Sequence, residues 1–226
     1  MRDALKFVLA GHVDHGKSTL IGRMLYDTDS LPTSVVKKVE TNCKETGQDF
    51  EHAFLLDALE EEQEQGITID ITKIEFSTEK RHYTIIDAPG HKEFLKNMIS
   101  GASSAEAAIL IIDASEGVRE QSKKHAYLLS LMGIRQVYVV INKMDLVGYD
   151  EDVFEKLRVE ASDYLKKISI VPELFIPISA KKGDNVTKKT KNLSWFDGPS
   201  VLEAIDMFEK SKDITKRPLR YPIQDV

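Results

Sequence analysis

The sequence predicts an α/β fold with three layers, in which helices cover both faces of a mostly parallel sheet. Short apolar runs rich in Val and Ile recur along the chain, and longer amphipathic stretches separate most of them. Such runs are typical of strands buried on both faces of a sheet. Helical stretches between such strands indicate the crossover connections of βα units.

Five buried strands and five crossover helices account for most of the chain. The predicted strands cover residues 6–10, 82–86, 107–112, 137–141 and 174–178. The predicted helices cover residues 17–26, 91–100, 118–132, 152–168 and 199–208. Asp150 is placed to cap the fourth of these helices, and Pro199 is placed as the first residue of the fifth.

Three further segments depart from this alternation. Residues 68–77 alternate well enough to predict an added strand, and the turn at residues 78–81 joins it to the next strand as an antiparallel edge pair. Residues 31–65 carry two more helical patterns, whose acidic run is interpreted as a solvated helix face. Residues 181–196 are polar and basic, and they predict a surface loop.

The composition predicts one large domain. The chain has 226 residues, 42% of them hydrophobic, so it can bury a sizeable core. This domain is assigned to residues 1–216. Residues 217–226 contain two prolines and are assigned to an exit toward a further domain. We expect the isolated domain to be monomeric.

Charge and cysteine content narrow the class of protein. A formal net charge of −6 and a pI near 5.6 disfavour a broad basic surface for nucleic acid. The single cysteine, Cys43, cannot form an internal disulfide, and the apolar runs fall short of the roughly 20 residues of a membrane span. The histidines show no pairing at metal-ligand spacing, so no structural zinc site is expected. We therefore expect a cytoplasmic protein without a membrane partner.

A phosphate-binding motif stands between the first predicted strand and the first predicted helix. Residues 11–18 fit G-x-x-x-x-G-K-[ST], in the context that this motif requires. Its glycines let main-chain N–H groups close around phosphate oxygens, Lys17 reaches the β and γ phosphates, and Ser18 ligates Mg²⁺. The residues predicted to hold the phosphates are Gly11, His12, Val13, Asp14, His15, Gly16, Lys17, Ser18 and Thr19.

Asp87 and Gly90 form a second motif, directly after the predicted strand at residues 82–86. Ligands of open α/β sheets bind at the edge where the parallel strands end. There Asp87 is predicted to hold Mg²⁺ through water, and Gly90 is predicted to bring its N–H against the γ phosphate. The pattern D-x-x-G is weak alone, but the phosphate loop upstream makes it strong.

The segment Asn142-Lys143-Met144-Asp145 follows another apolar strand and decides which base binds. Guanine presents its N1–H and its N2 amino group side by side, and the carboxylate of Asp145 accepts from both, whereas adenine lacks that pair of donors. Asn142 is predicted to brace the loop, and the stem of Lys143 is predicted to cover one face of the base. Ser179, Ala180 and Lys181 are predicted to contact the other side of the base, through main-chain N–H groups and the stem of the lysine.

Together these motifs resemble the translation-factor family of GTPases, typified by elongation factors Tu and 1-alpha. The resemblance covers essentially the whole chain, and it places the motifs on a P-loop NTPase fold. It implies that the protein binds GTP and GDP with Mg²⁺ and hydrolyses GTP to GDP and phosphate. It also implies that β-barrel domains follow, and that residues 217–226 lead into the first of them.

The same resemblance assigns catalytic roles that spacing alone does not give. Thr68, in the first switch segment, is implied to ligate Mg²⁺ and to sense the γ phosphate, and His91 is implied to orient the attacking water. Val13 and Ile67 are implied to form an apolar gate in front of His91, and Asp14 is implied to help bind a monovalent cation. The catalytic set predicted in this way is His91, Lys17, Thr68 and Gly90.

Three stretches, at residues 53–59, 64–70 and 128–135, are more similar to the GTPase subunit of sulfate adenylyltransferase than to the elongation factors. That resemblance implies that GTP hydrolysis drives a catalytic ATP sulfurylase subunit, which makes adenylyl sulfate from ATP and sulfate. The pattern of elongation factor 1-alpha recurs at residues 194–199 and supports an alternative, in which the GTP state carries aminoacyl-tRNA to the ribosome. The sulfate-activation interpretation is the first choice from the sequence.

Two functions of other classes share part of this site. A P-loop kinase or ATPase needs Gly16, Lys17 and Ser18 but has no need for Asn142 and Asp145, so competition between GTP and ATP separates it. A regulatory module that binds GTP without hydrolysing it keeps the guanine contacts. Phosphate release that stays at background with every partner supplied would favour that module.

Overall fold

The apolar strands form one six-stranded sheet in the computed structural model, which describes residues 4–64, 73–87 and 105–210. The strands are β1 (Ala4–Ala10), β2 (Lys73–Ser77), β3 (His82–Asp87), β4 (Ala107–Asp113), β5 (Gln136–Asn142) and β6 (Leu174–Pro177). Their order in the sheet is β2-β3-β1-β4-β5-β6. β2 runs antiparallel to β3 and the other pairs are parallel, which confirms the predicted sheet with its antiparallel edge strand.

Six α-helices surround the sheet in the described residues. They are α1 (Lys17–Asp27), α2 (Thr33–Thr46), α3 (Ala53–Glu64), α4 (Glu120–Leu131), α5 (Glu151–Lys167) and α6 (Val201–Ile205). The two helical patterns predicted within residues 31–65 are therefore present. The helix predicted over residues 91–100, the first part of the strand predicted over residues 68–77, and the exit at residues 217–226 lie outside the described residues.

β1 shows how the sequence divides the core between two layers of helices. Phe7 and Leu9 belong to a buried cluster that includes residues of α1 and α6. Val8 and Ala10 belong to a second cluster, which includes residues of α4 and α5. Because successive residues of a strand point to opposite faces of the sheet, an unbroken apolar run requires helices on both faces. The predicted three-layer architecture is confirmed.

The predicted start of one helix is confirmed, and that of another is wrong. The Asp150 carboxylate accepts a hydrogen bond from the main-chain N–H of Asp152 at 2.8 Å, as a cap of α5. The prediction that Pro199 is the first helical residue of the last helix is wrong. Ser200 accepts from the N–H of Glu203, and the Glu203 carboxylate accepts from the N–H of Ser200, so a capping box starts α6 after Ser200.

The surface loop predicted at residues 181–196 is confirmed only in part, because its lysines are exposed but several other residues of the segment are buried. Asp184, Asn185, Val186 and Leu193 are all buried. The side chain of Asn185 donates to the carbonyl oxygen of Pro177 at 3.3 Å, and the main-chain carbonyl of Asn185 accepts from the N–H of Val201 at 2.9 Å. Polar side chains are tolerated in the interior when hydrogen bonds replace their contacts with water, and composition alone does not reveal such bonds.

Helices α2 and α3 pack against each other through a small apolar cluster, which consists of Val35, Val39, Cys43, Leu55 and Ala58. From the acidic run at the end of α3, Glu61 is exposed and forms an ion pair with Lys38 of α2, at 2.8 Å between Nζ and Oε2. In the described part of the chain, no helix combines the length and the apolar character that crossing a bilayer requires.

Candidate functional site

A cleft of about 490 Å³ opens at the carboxyl ends of the parallel strands. Four segments line it: the loop after β1 with the start of α1, the loop after β5, the loop after β6, and the connection between α2 and α3. The lining residues are Asp14, Gly16, Ser18, Thr19, Phe50, Glu51, His52, Ala53, Asn142, Lys143, Asp145, Leu146, Ala180 and Lys181. Ligands of open α/β sheets bind at this edge, so the cleft is the candidate site.

Two glycines shape the phosphate loop. Gly16 has a φ of 86°, in the left-handed region, and a Cβ placed on it would lie 2.4 Å from Nδ2 of Asn142. A Cβ on Gly11 would lie 2.9 Å from the carbonyl oxygen of Ile111 in β4. Neither position accepts a larger residue without movement of the loop, so both glycines of the motif are required by close approach.

Lys17, Ser18 and Thr19 occupy the first turn of α1, directly after the loop. Lys17 is buried, and its Nζ donates to the carbonyl oxygens of Gly11 at 2.8 Å and His12 at 3.1 Å. Its ammonium group is therefore held against the loop, while Ser18 and Thr19 line the cleft itself. The N-terminus of a helix carries positive potential and main-chain N–H donors, so this turn suits an anionic ligand.

His15 is a loop residue whose side chain is turned away from the cleft. It is fully buried, with Nδ1 3.2 Å from the carbonyl oxygen of Ile111 and Nε2 3.7 Å from the Glu116 carboxylate. Burial lowers the pKa of His15 and outweighs the hydrogen bond and the nearby carboxylates. The imidazole thus packs the loop against β4, and only the main chain of His15 can serve a ligand in the cleft.

Asn142 connects three of the four segments. It ends β5 and is buried. Its Nδ2 donates to the carbonyl oxygen of His15 at 2.8 Å, and its Oδ1 accepts from the main-chain N–H of Ala180 at 2.9 Å. One side chain therefore joins the phosphate loop to the loops after β5 and β6.

The segment directly after Asn142 has an unusual backbone conformation. Lys143 has a φ of 63° and precedes a short 3₁₀ helix, Met144–Val147. The N–H of Met144 donates to the carbonyl oxygen of Ile178 at 3.0 Å, which ties this turn to the end of the neighbouring strand. Asp145, in the turn, and Lys181, in the loop after β6, both line the cleft.

Asp113, which was not predicted from the sequence, holds the side chain of Lys143. It ends β4, is fully buried, and its Oδ2 lies 2.6 Å from Nζ of Lys143. Burial alone would raise the pKa of Asp113, but hydrogen bonds from Lys143 and Ser115 outweigh it and lower the pKa. The signal available in the sequence was a carboxylate at the end of a buried strand, on the ligand edge of the sheet.

Asp184 was missed as well, because it lies in the segment that was predicted to be a surface loop. The hydroxyl of Tyr149 donates to Oδ2 of Asp184 at 2.6 Å, and Nδ2 of Asn192 donates to both carboxylate oxygens. The main chains of Asp184 and Ser179 exchange hydrogen bonds, and the carbonyl of Tyr149 accepts from Trp195 at 2.9 Å. This network supports the loops that carry Asp145 and Lys181 from behind.

The remaining predicted residues divide into two groups. Gly11, His15 and Ser179 are buried behind the cleft wall, and the main chain of Asp87 ends β3 opposite Leu9 of β1. The predicted catalytic residues Thr68, Gly90 and His91 lie outside the described residues, and so does the predicted gate residue Ile67. The side chains of Val13 and Asp87 also lie outside the described part of the chain.

Comparisons with known proteins agree with this geometry. The family model described as "Elongation factor Tu GTP binding domain" matches residues 2–211. Elongation factor 1-alpha of Pyrococcus horikoshii is 48% identical over 222 residues, which cover 98% of this chain and 52% of that protein. The chain thus spans about half the length of the relatives that it matches.

Solved structures give the same picture. The structure of sup35 complexed with GDP matches with a TM-score of 0.65 and 27% identity, over 91% of this chain and 45% of that one. A bacterial selenocysteine-specific elongation factor matches with a TM-score of 0.57 and 29% identity, over 91% of this chain and 29% of that one. These similarities favour the elongation-factor interpretation, the alternative from the sequence, over the sulfate-activation interpretation, the first choice from the sequence.

Proposed function

This chain belongs to the elongation factor Tu GTP-binding domain family, and from that premise we propose that it is the nucleotide switch of an elongation factor of the 1-alpha type. As a member of the family it binds GTP and hydrolyses it to GDP and phosphate. The proposal concerns what this hydrolysis serves. The GTP state is proposed to bind aminoacyl-tRNA and deliver it to the ribosome.

The similarity to elongation factor 1-alpha supports the role in translation, and the bridge made by Asn142 carries the guanine-nucleotide part of the proposal. The side chain of Asn142 joins the phosphate loop to the loops after β5 and β6, which are the two base loops. Gly16 and Ser18 therefore lie in the same cleft as Asp145. A nucleotide with its phosphates on the N-terminal turn of α1 has its base toward Asp145. The Asp145 carboxylate then accepts from the N1–H and the N2 amino group of guanine, which adenine cannot offer as a pair.

Mg²⁺ is part of the proposal, since Ser18, in the first turn of α1, lines the cleft and carries a hydroxyl that can ligate the ion. In the register of β1 and β3, Leu9 lies opposite Asp87, so the main chain of Asp87 is adjacent to the start of the phosphate loop. Ser18, Thr68 and Asp87 would hold the ion. When bound, Mg²⁺ offsets the negative charge of the β and γ phosphates.

The other proposed residues act on the nucleotide directly. The ammonium of Lys17 neutralises phosphate charge, the N–H of Gly90 contacts the γ phosphate, and His91 orients the attacking water. A monovalent cation near Asp14 belongs to the same proposal. Asp14 is exposed and lines the cleft.

The nucleotide part of the proposal is tested by displacement of a fluorescent GDP analogue with unlabelled nucleotides in the presence of Mg²⁺. We expect GDP and GTP to displace the analogue at concentrations at least about a hundredfold below those of ADP and ATP. Equal displacement by ATP would instead support a P-loop ATPase or kinase.

The biological part is tested by affinity purification of the full-length protein in its GTP state. Recovery of aminoacyl-tRNA or ribosomes supports the elongation function. Recovery of a catalytic ATP sulfurylase subunit, with GTP-dependent synthesis of adenylyl sulfate from ATP and sulfate, would overturn it in favour of the sulfate-activation function.

A further inference from the structure

The connection between α2 and α3 forms one wall of the nucleotide cleft, and no nucleotide-binding motif accounts for it. Phe50, Glu51, His52 and Ala53 line the cleft together with Ala180 and Lys181 of the loop after β6. The Oε1 of Glu51 lies 3.0 Å from Nζ of Lys181. This ion pair joins two segments that are 130 residues apart. It crosses the cleft on the side where the base is proposed to lie.

This wall is anchored on the helix that follows the phosphate loop. The carbonyl oxygen of His52 packs so closely against Gly22 of α1 that a Cβ on the glycine would lie 1.9 Å from it. The rings of Tyr26, Phe50 and His52 contact one another, with centroids 5.3 to 6.1 Å apart. Burial, and secondarily the charge of Arg23 in α1, lowers the pKa of His52. The connection is therefore fixed on α1 on one side of the cleft, and Lys181 is attached to it from the other.

From these contacts we propose that Glu51 is a positioning residue for nucleotide retention, because its ion pair with Lys181 fastens the α2–α3 connection across the cleft. The proposal rests on the proposed guanine-nucleotide function of the cleft. In this proposal the ion pair opposes separation of the two segments, so a bound nucleotide leaves faster when the pair is absent. Glu51 itself contacts Lys181 and acts through it.

Both partners of the pair are substantially exposed, at 65% for Lys181 and 42% for Glu51. Exposed ion pairs are weak and are screened by salt. We therefore expect a change in the rate of nucleotide dissociation of about two- to fivefold, with little change in the association rate, and a smaller effect at high ionic strength.

The test is a double-mutant cycle on the full-length protein, with stopped-flow measurement of the release of a fluorescent GDP analogue. Glu51→Gln should speed release about two- to fivefold in the wild-type background and have no effect in the Lys181→Gln background. The cycle removes any direct contact of Lys181 with the base from the comparison, since that contact is lost in both members of the second pair.

A matched control is available on α2 and α3, the two helices that this connection joins. Lys38 and Glu61 form an ion pair of similar exposure, 40% and 62%, with Nζ and Oε2 2.8 Å apart. Neither residue lines the nucleotide cleft. Glu61→Gln removes one negative charge without touching the cleft, so release should stay at the wild-type rate.

The outcomes separate the inference from the function on which it rests. If the wild-type protein does not bind the GDP analogue, the proposed function fails. If it binds, but Glu51→Gln leaves release unchanged or speeds it equally in both backgrounds, Glu51 has no role through Lys181 and the inference is overturned. Acceleration by Glu61→Gln to the same extent would also overturn it, because the effect would then follow net charge.

Discussion

The amide group of Asn142 donates a hydrogen bond to the main-chain carbonyl of His15, with 2.8 Å between nitrogen and oxygen. This bond connects the end of β5 to the phosphate loop, across 127 positions of sequence. The Cβ that Gly16 lacks would occupy the same space, since it would lie 2.4 Å from the donating nitrogen. The glycine of the phosphate motif and the asparagine of the base motif therefore depend on each other.

Asn142→Asp tests this dependence with a side chain of the same shape. The carboxylate still accepts from the N–H of Ala180, but it has no proton for the carbonyl of His15 and places negative charge against it. An unsatisfied buried group costs about 1–3 kcal/mol, so the affinity for GDP should fall roughly ten- to a hundredfold by calorimetry. Asn42→Asp, the same change at an exposed position of α2, should leave the affinity intact. Equal affinities for all three proteins would show that the bridge does not support binding.

Asp145→Asn should change the preferred base. An asparagine amide offers one acceptor and one donor, so it matches the N1–H and the C2 carbonyl of xanthine and no longer accepts both donors of guanine. We expect the affinity for GDP to fall at least about a hundredfold and the affinity for xanthosine diphosphate to rise above it. Competition between the two diphosphates measures this directly, with Asp152→Asn at an exposed position of α5 as the matched control. A variant that still prefers GDP would remove Asp145 from base selection.

Tyr149→Phe should loosen both base loops from behind. Burial and the hydrogen bond to Asp184 raise the pKa of the Tyr149 hydroxyl, so it stays protonated and keeps donating to the buried carboxylate. Without this donor, we expect GDP affinity to fall about three- to tenfold and the free energy of unfolding to fall by about 1–2 kcal/mol. Tyr127→Phe, at a side chain that is 52% exposed, should change neither quantity. A loss of stability without a loss of affinity would confine Tyr149 to a structural role.

The sequence predicted residues that belong to contiguous motifs and missed single residues whose partners lie far away along the chain. The phosphate loop was predicted because its glycines, Lys17 and Ser18 are contiguous and the strand and helix around them have clear patterns. The pairs Asp113–Lys143 and Tyr149–Asp184 were missed because their members come from different βα units, 35 positions apart in the second case. For the same reason Asp184 was predicted to be exposed, since its donors become visible only in the fold.

His91→Ala separates binding from chemistry. His91 lies outside the described residues, and its role as the group that orients the attacking water comes from the family resemblance. Loss of a positioning group should lower GTP hydrolysis about a hundredfold and leave GDP affinity nearly unchanged. Single-turnover phosphate release, with the stimulating partner supplied, measures the effect. His82→Ala is the control, because His82 lies at the amino end of β3, away from the cleft. Unchanged stimulated turnover in His91→Ala would exclude His91 from the mechanism.

His125 should make the stability of the protein depend on pH. This histidine is buried in α4, and burial, followed by the charge of Lys17, lowers its pKa to about 4. The other groups that act on it are the main chain of Gln121 and the imidazoles of His12 and His15. In the unfolded chain a histidine has a pKa near 6.5. Between these two values the unfolded state binds a proton that the folded state does not, so the free energy of unfolding decreases as the pH falls.

His125→Gln removes this proton and keeps a side-chain donor for the carbonyl of Gln121. Well below pH 6.5 the wild-type protein should lose about 1.4 kcal/mol more per pH unit than the variant, as measured by urea unfolding at pH 7, 6 and 5 with saturating GDP. Burial also lowers the pKa of His15 and of His52, so part of the pH dependence should remain in the variant. His82→Gln, at an exposed position, should follow the wild-type curve. If the free energy of unfolding has the same pH dependence in the wild type and in His125→Gln, His125 takes up its proton equally in the folded and the unfolded state. That result would contradict the lowered pKa that burial and the charge of Lys17 cause in the folded state.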